Sequence, residues 1–234
     1  MNPYQALVLG ASGAIGSAFV AHFQNDLECS MVVGLSRQSE LHFELESEDS
    51  MAHCVAQLQS ATGPFGACQF KWIIDATGAL TIEGQGPEKR LEALNAKQLL
   101  RQFEVNAVGP ALLIKHFFPL LLSQEPSCYA TLSARVGSIE DNHKGGWYGY
   151  RAAKAARNML LQTAAIEAAR KKSLCVFAAL QPGTVQSKLS AGFVAADNAM
   201  LPEESVSKMM AVMSDLKPNG RAQFVDHAGQ VIPW

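Results

Sequence analysis

The junction QALVLG–ASGAIGSAFVAHF at residues 5–23 constrains the chain more than any other stretch. Residues 5–10 are apolar on both faces, as in a fully buried strand. Ile15, Phe19 and Phe23 then recur with the period of a helix that has one apolar side. Gly10, Gly13 and Gly16 stand between and within these two elements. Glycine suits a backbone that turns tightly and closely approaches a bound group, while the following helix offers free N–H groups and a positive dipole end. A phosphate cradle is therefore expected here, with Ser12 adding a hydroxyl. Glycines kept only for close strand–helix packing are the other reading.

The same alternation continues along the chain. Apolar strand-like runs occur at 30–36, more weakly at 41–46, and at 70–78, 128–134, 174–183 and 222–227. Helical periods fill 14–23, 52–61, about 99–109 running on into PALLIKHFFPLLLS, 150–172 and 203–214. Strands apolar on both faces, separated by helices of this length, indicate a mainly parallel sheet covered on both sides. The expected class is α/β, a single doubly wound Rossmann-type domain over residues 1–234, with 48% apolar residues to fill its core. Residues 186–200 are the least regular and read either as a mobile flap or as a plain surface loop.

Other classes are disfavoured. A formal charge of −2 and one short basic run, Arg170 to Lys172, give no footprint for nucleic acid. The five cysteines are isolated, and no CxxC or HExxH spacing exists, so reduced core thiols and no metal are expected. The first residues start a strand without a basic leader. The apolar run ALLIKHFFPLLL is cut by Lys115, His116 and Pro119, so no membrane span is expected. A cytoplasmic location is the corresponding expectation.

Two details sharpen the chemistry. The glycine spacing is G-x-x-G-x-x-G, and the second strand ends in GLSRQ, with Ser36 and Arg37 where dinucleotide folds often place an acid. A carboxylate there would repel a 2′-phosphate and a guanidinium can clamp one, so NADP(H) is preferred over NAD(H). Tyr150 and Lys154 are four apart, on one face of a helix. A free phenol ionises near pH ~10, and a neighbouring ammonium favours the phenolate, which makes the tyrosine a usable proton donor and acceptor. Tyr148 points elsewhere if helical.

Gly10-Ala-Ser-Gly13-Ala-Ile-Gly16, NAVG at 106–109, YRAAK at 150–154 and PGTV at 182–185 occur in this order. Together they resemble the short-chain dehydrogenase/reductase family over essentially the whole chain. The segments SARVGSIEDN, GGWYGYRAAKAA and HAGQVIPW look most like its branch related to C-factor and to sniffer-type carbonyl reductases. The resemblance implies that Tyr150 is the acid/base and that Lys154 holds the nicotinamide ribose and lowers the tyrosine pKa. It also implies that Asn106 keeps a water in a proton relay. Gly10, Ser12, Gly13, Ile15, Gly16, Ser36, Arg37, Gly78, Asn106, Tyr150, Lys154, Pro182, Gly183, Thr184 and Val185 would contact the cofactor. DATG at 75–78 takes the place of the family's Asn-Asn-Ala-Gly turn, matching only at Gly78.

Two departures stand out. Ala14 replaces the family's usual glycine, and Ala134, three residues before Gly137, fills the slot of the catalytic serine in the family's Ser-x-x-Gly pattern. Ser133 is the expected substitute, with Ser138 second. Trp147, His143 and Phe193 are candidate pocket residues. The resemblance implies that the alanine- and leucine-rich helix 152–169 builds a subunit interface, so a homodimer or homotetramer is expected; a helix buried within its own domain is the other reading. The leading expectation is an NADP(H)-dependent oxidoreductase acting on a small carbonyl or alcohol. A dinucleotide-binding regulatory protein with little turnover is the alternative, and an epimerase-like member a third.

Overall fold

The computed structural model describes residues 3–171, 173–187 and 199–234. Six parallel strands, β1 (Tyr4–Leu9), β2 (Cys29–Leu35), β3 (Trp72–Asp75), β4 (Ser127–Leu132), β5 (Cys175–Gln181) and β6 (Ala222–Asp226), form one sheet. Its order is β2-β1-β3-β4-β5-β6. The helices are α1 (Ala14–Asn25), α2 (Glu48–Gln59), α3 (Ala96–Phe103), α4 (Gly109–Phe117), α5 (Tyr148–Arg170) and α6 (Pro202–Asp215).

Strand alternation divides the core into two layers. Tyr4, Ala6 and Val8 of β1 pack with Phe19 and Phe23 of α1 and with Val206, Met209 and Met213 of α6. Leu7 and Leu9 face the other way, toward Met51 and Leu58 of α2, Leu113 and Phe117 of α4, and Leu161 and Ala165 of α5. This is the expected doubly wound α/β arrangement. All five cysteines are free, and four of them are buried. Among the described residues, no helix is long and apolar enough to cross a membrane, and no cluster of His, Cys, Asp and Glu is fit to hold a metal.

One expected strand does not form. Residues 41–46 contribute a single bridge, Ser36 to His42. The chain leaves β2 through a turn in which Ser36 O accepts from both Ser39 N and Phe43 N, and the Ser39 hydroxyl is shared between Ser36 O and Leu41 O. That turn curls the backbone. Phe43 is still buried, against Phe117, so its apolar character serves packing rather than pairing. The flap expected at 186–200 lies mostly outside the described residues. At its two ends, Gln186 N bonds Met200 O and Met200 N bonds Thr184 O.

Candidate active site

The strand order reverses between β1 and β3, and ligands of such sheets bind beyond the carboxyl ends of the strands at this switch point. Gly10 follows β1 there, with φ +83°, and a Cβ on it would lie 3.0 Å from the Ala76 backbone. Gly16 is more restricted still, since a Cβ would come within 2.2 Å of Gly10 O. Gly13 has room for a side chain: its nearest neighbour would be Gly10 O at 3.5 Å. Gly13 and Ser12 are exposed. The first turn of α1 has neither a side-chain cap nor an acidic residue, so no side chain competes with an anion for its amide donors. Ile15 is half-buried beside them, packed on the core layer of α1.

Tyr150, Lys154, Arg157, Asn158 and Leu161 form the buried stripe of α5. The Lys154 Nζ lies 5.6 Å from the centre of the Tyr150 ring and donates to Leu132 O at 2.9 Å. Gly137 permits this packing, because a Cβ there would meet the Lys154 Cβ at 2.9 Å.

Burial sets the electrostatics of the pair. It pushes the Tyr150 phenol up to about 12, opposed by the Arg157 charge. Burial and then Arg157 push the Lys154 ammonium well below its ordinary value, with Asp75 acting in the opposite direction. The lysine-driven lowering of the tyrosine expected from the spacing is therefore not what the protein alone shows. Desolvation outweighs it, and the cation that eases ionisation of Tyr150 is Arg157. Tyr129 is likewise raised by burial.

For a phenol whose folded pKa is raised, the stabilising contribution is complete below the unfolded value and is lost as pH rises through the folded one. Lys154 has the opposite sign: its contribution is complete above the ordinary lysine value and is lost toward lower pH. We expect thermal stability to fall as pH rises from 10 to 12. In Tyr150→Phe, about 2–3 kcal/mol of that fall should be absent, as measured by melting temperature against pH.

Beneath the pair lies an arrangement that sequence reasoning missed. Arg157 and Asp75 form an ion pair, each side chain 1% exposed. Arg157 also donates to Thr131 Oγ1 (2.6 Å) and Thr77 O (2.9 Å). Asp75 accepts from Thr131 Oγ1 (2.8 Å), Thr77 Oγ1 (2.5 Å) and Thr77 N (3.0 Å). The network fixes the turn that ends at Gly78, where φ is +131°. A Cβ on Gly78 would sit 2.9 Å from Asn106 Oδ1, 3.4 Å from Lys154 Nζ and 3.5 Å from Arg157 Nη1. The one clue in the sequence was an arginine at the third position after Lys154, on the buried stripe.

Asn106 is fully buried in a π-helical turn, Glu104–Val108. It accepts from Ala79 N (3.0 Å) and donates to Ala79 O (2.8 Å) and Gln102 Oε1 (2.9 Å). Such wide turns are frequent at functional sites. Here the turn places the amide against the Gly78–Ala79 backbone, beside Lys154.

The remaining expected residues are placed as follows. Ser133 is buried and donates to Asn158 Oδ1 at 2.6 Å, and Ser138 accepts from Asp141 N at 3.1 Å. Ser36 is buried and accepts from Gln38 N at 3.1 Å. Arg37 is exposed, next to Leu35, whose carbonyl takes both Gly10 N and Ala11 N. Pro182 O is held by Ser205 at 2.6 Å, Gly183 has φ +80°, Thr184 is exposed and Val185 buried. His143 is exposed, and Phe193 lies outside the described residues.

Residues 5–198 match the family model described as short chain dehydrogenase. The chain belongs to that family. C-signal of Myxococcus xanthus is 31% identical over 137 residues, covering 58% of this chain and 78% of that protein. The 1-hydroxy-2-glutathionyl-2-methyl-3-butene dehydrogenase of Rhodococcus sp. (strain AD45) is 30% identical over 142 residues, covering 61% of each. Among solved structures, an NADPH-bound carbonyl reductase from chicken fatty liver matches all of both chains with a TM-score of 0.84 at 22% identity. The carbonyl reductase Sniffer of D. melanogaster does so with 0.82 at 20% identity. These two likenesses are of fold.

Proposed function

We propose that this chain is an NADP(H)-dependent oxidoreductase that interconverts a small carbonyl compound and its alcohol. The observation that carries this reading is the buried Tyr150–Lys154 pair at the carboxyl end of the sheet, the end that also presents the uncapped α1 turn. When bound, a nicotinamide cofactor supplies or removes the hydride. The chain's own residues do the rest. Gly10 to Gly16 seat the pyrophosphate, and Pro182 to Val185 border the nicotinamide side. Lys154 uses one of its three donors on Leu132 O, which leaves others for ribose hydroxyls. In reduction Tyr150 gives its proton to the carbonyl oxygen; in oxidation it takes that proton back.

Asn106 keeps the Gly78 turn against Lys154 and borders the path by which a proton returns to Tyr150. Ser133 has its proton engaged by Asn158, so Tyr150 is the principal donor to the substrate oxygen and Ser133 contributes only after that bond is released. The regulatory alternative gains no support from a site whose Tyr150 and Lys154 are both present and buried. The dehydrogenase of Rhodococcus sp. among the relatives of this chain favours the enzymatic reading.

Arg37 is proposed to clamp a 2′-phosphate. At equal concentration NADPH should raise the melting temperature more than NADH, because stabilisation follows RT ln(1 + [L]/Kd). In Arg37→Ala the two should become equal. Equal shifts in the wild type would refute the preference. The exposed Met159, Leu160 and Ile166 on α5 are proposed to bury against a second copy, in a homodimer or homotetramer. Light scattering should then give two or four times 25.2 kDa, and a monomeric mass would contradict it.

A further inference from the structure

Three consecutive residues ahead of the proton donor adopt left-handed backbone: Gly145 (φ 62°), Gly146 (φ 66°) and Trp147 (φ 55°). The glycines do so freely. Trp147 carries a Cβ, and such a residue persists in this region only where its surroundings over-determine it.

Glu88 and Arg151 both hold the turn. Glu88, 5% exposed, lies in the loop between β3 and α3. Its main-chain carbonyl accepts Trp147 N–H, and its carboxylate Oε2 accepts Gly149 N–H at 3.1 Å. The other oxygen, Oε1, is buried without a hydrogen-bond partner. A carboxylate at this place suits the positive end of α5. The Arg151 guanidinium donates to the carbonyls of Gly146 (2.9 Å), Gly145 (3.1 Å) and Val136 (3.4 Å). Gly149 allows the close approach, because a Cβ there would lie 3.0 Å from Glu88 Oε1 and 3.2 Å from Leu99 and Gln102. The outcome is an indole set edge-on to the Tyr150 ring, with centroids 6.2 Å apart and planes at 73°.

We infer that Glu88 is a positioning residue for Tyr150: with Arg151 it clamps the left-handed turn and so sets the start of α5, the Trp147 wall and the direction of the phenol. This rests on the reading of Tyr150 as proton donor. Misplacement of a reacting group by about 1 Å can cost on the order of a hundredfold in rate, whereas the proposed pyrophosphate seat, Gly10 to Gly16 after β1, lies on elements that Glu88 does not hold.

Glu88→Ala should therefore lower kcat by about tenfold or more, leave NADPH affinity unchanged, and speed amide hydrogen exchange over residues 147–151. Glu88→Gln keeps an oxygen able to accept the Gly149 N–H and should restore most of both. An active wild type with unchanged kcat in Glu88→Ala overturns the inference. So does a Glu88→Gln no better than Glu88→Ala with NADPH affinity lost as well, which is the behaviour of a merely structural residue. If the wild type reduces no carbonyl compound, the proton-donor reading fails instead. Unchanged exchange in Glu88→Ala would then separately overturn the clamp.

Discussion

Tyr150→Phe should lower carbonyl-reducing turnover by at least about a hundredfold, the range supplied by a positioned general acid, while the variant still binds NADPH. The phenyl ring keeps the packing against Trp147 and the Lys154 side chain, so only the hydroxyl, and with it the transferable proton, is removed. The phosphate-binding turn lies on other elements, Gly10 to Gly16 after β1. Steady-state NADPH oxidation gives the first quantity, and the NADPH-induced rise in melting temperature gives the second.

Arg157→Leu is expected to have the largest effect on stability. It removes one member of a fully buried ion pair and leaves the Asp75 carboxylate facing only Thr77 and Thr131. Breaking a buried pair in this way costs about 3–5 kcal/mol, whereas replacing both members with uncharged groups is often close to neutral. For a chain of this size the loss amounts to roughly 10 °C or more in melting temperature. The double variant Asp75→Asn/Arg157→Leu should recover most of it. Urea unfolding of the wild type, both single variants and the double variant closes the cycle. Because Arg157 also holds Thr77 O, the single variant loosens the turn at Gly78 and should weaken NADPH binding in parallel.

These predictions draw on two different depths of the sequence. The alternation of buried strands and amphipathic helices was legible because a parallel sheet covered on both faces demands apolar residues at successive positions. The glycine turn was legible because Gly10 adopts a left-handed backbone tight against Ala76 and a Cβ on Gly16 would come within 2.2 Å of Gly10 O. Tyr150 and Lys154 were legible because helical spacing is local.

What was hidden depends on contacts across long stretches of chain. Asp75 and Arg157 are 82 residues apart, and Glu88 meets Gly149 across 61. Neither pairing has a periodic signature. The wide turn at Glu104–Val108 looks like ordinary helix in sequence, since it only shifts the register of the stripe. The segment 41–46 has strand composition, but Ser36 and Ser39 tie its backbone into a turn. The orientation of Ser133 depends on Asn158, 25 residues away, which strand alternation alone does not reveal.

The central claim is that Tyr150 and Lys154 serve carbonyl reduction. The most direct measurement is the rate of NADPH oxidation by the purified wild-type protein with a panel of aldehydes and ketones. The account predicts substrate-dependent oxidation with at least one member of the panel. NADPH binding, seen as a thermal shift, without oxidation by any member would contradict it.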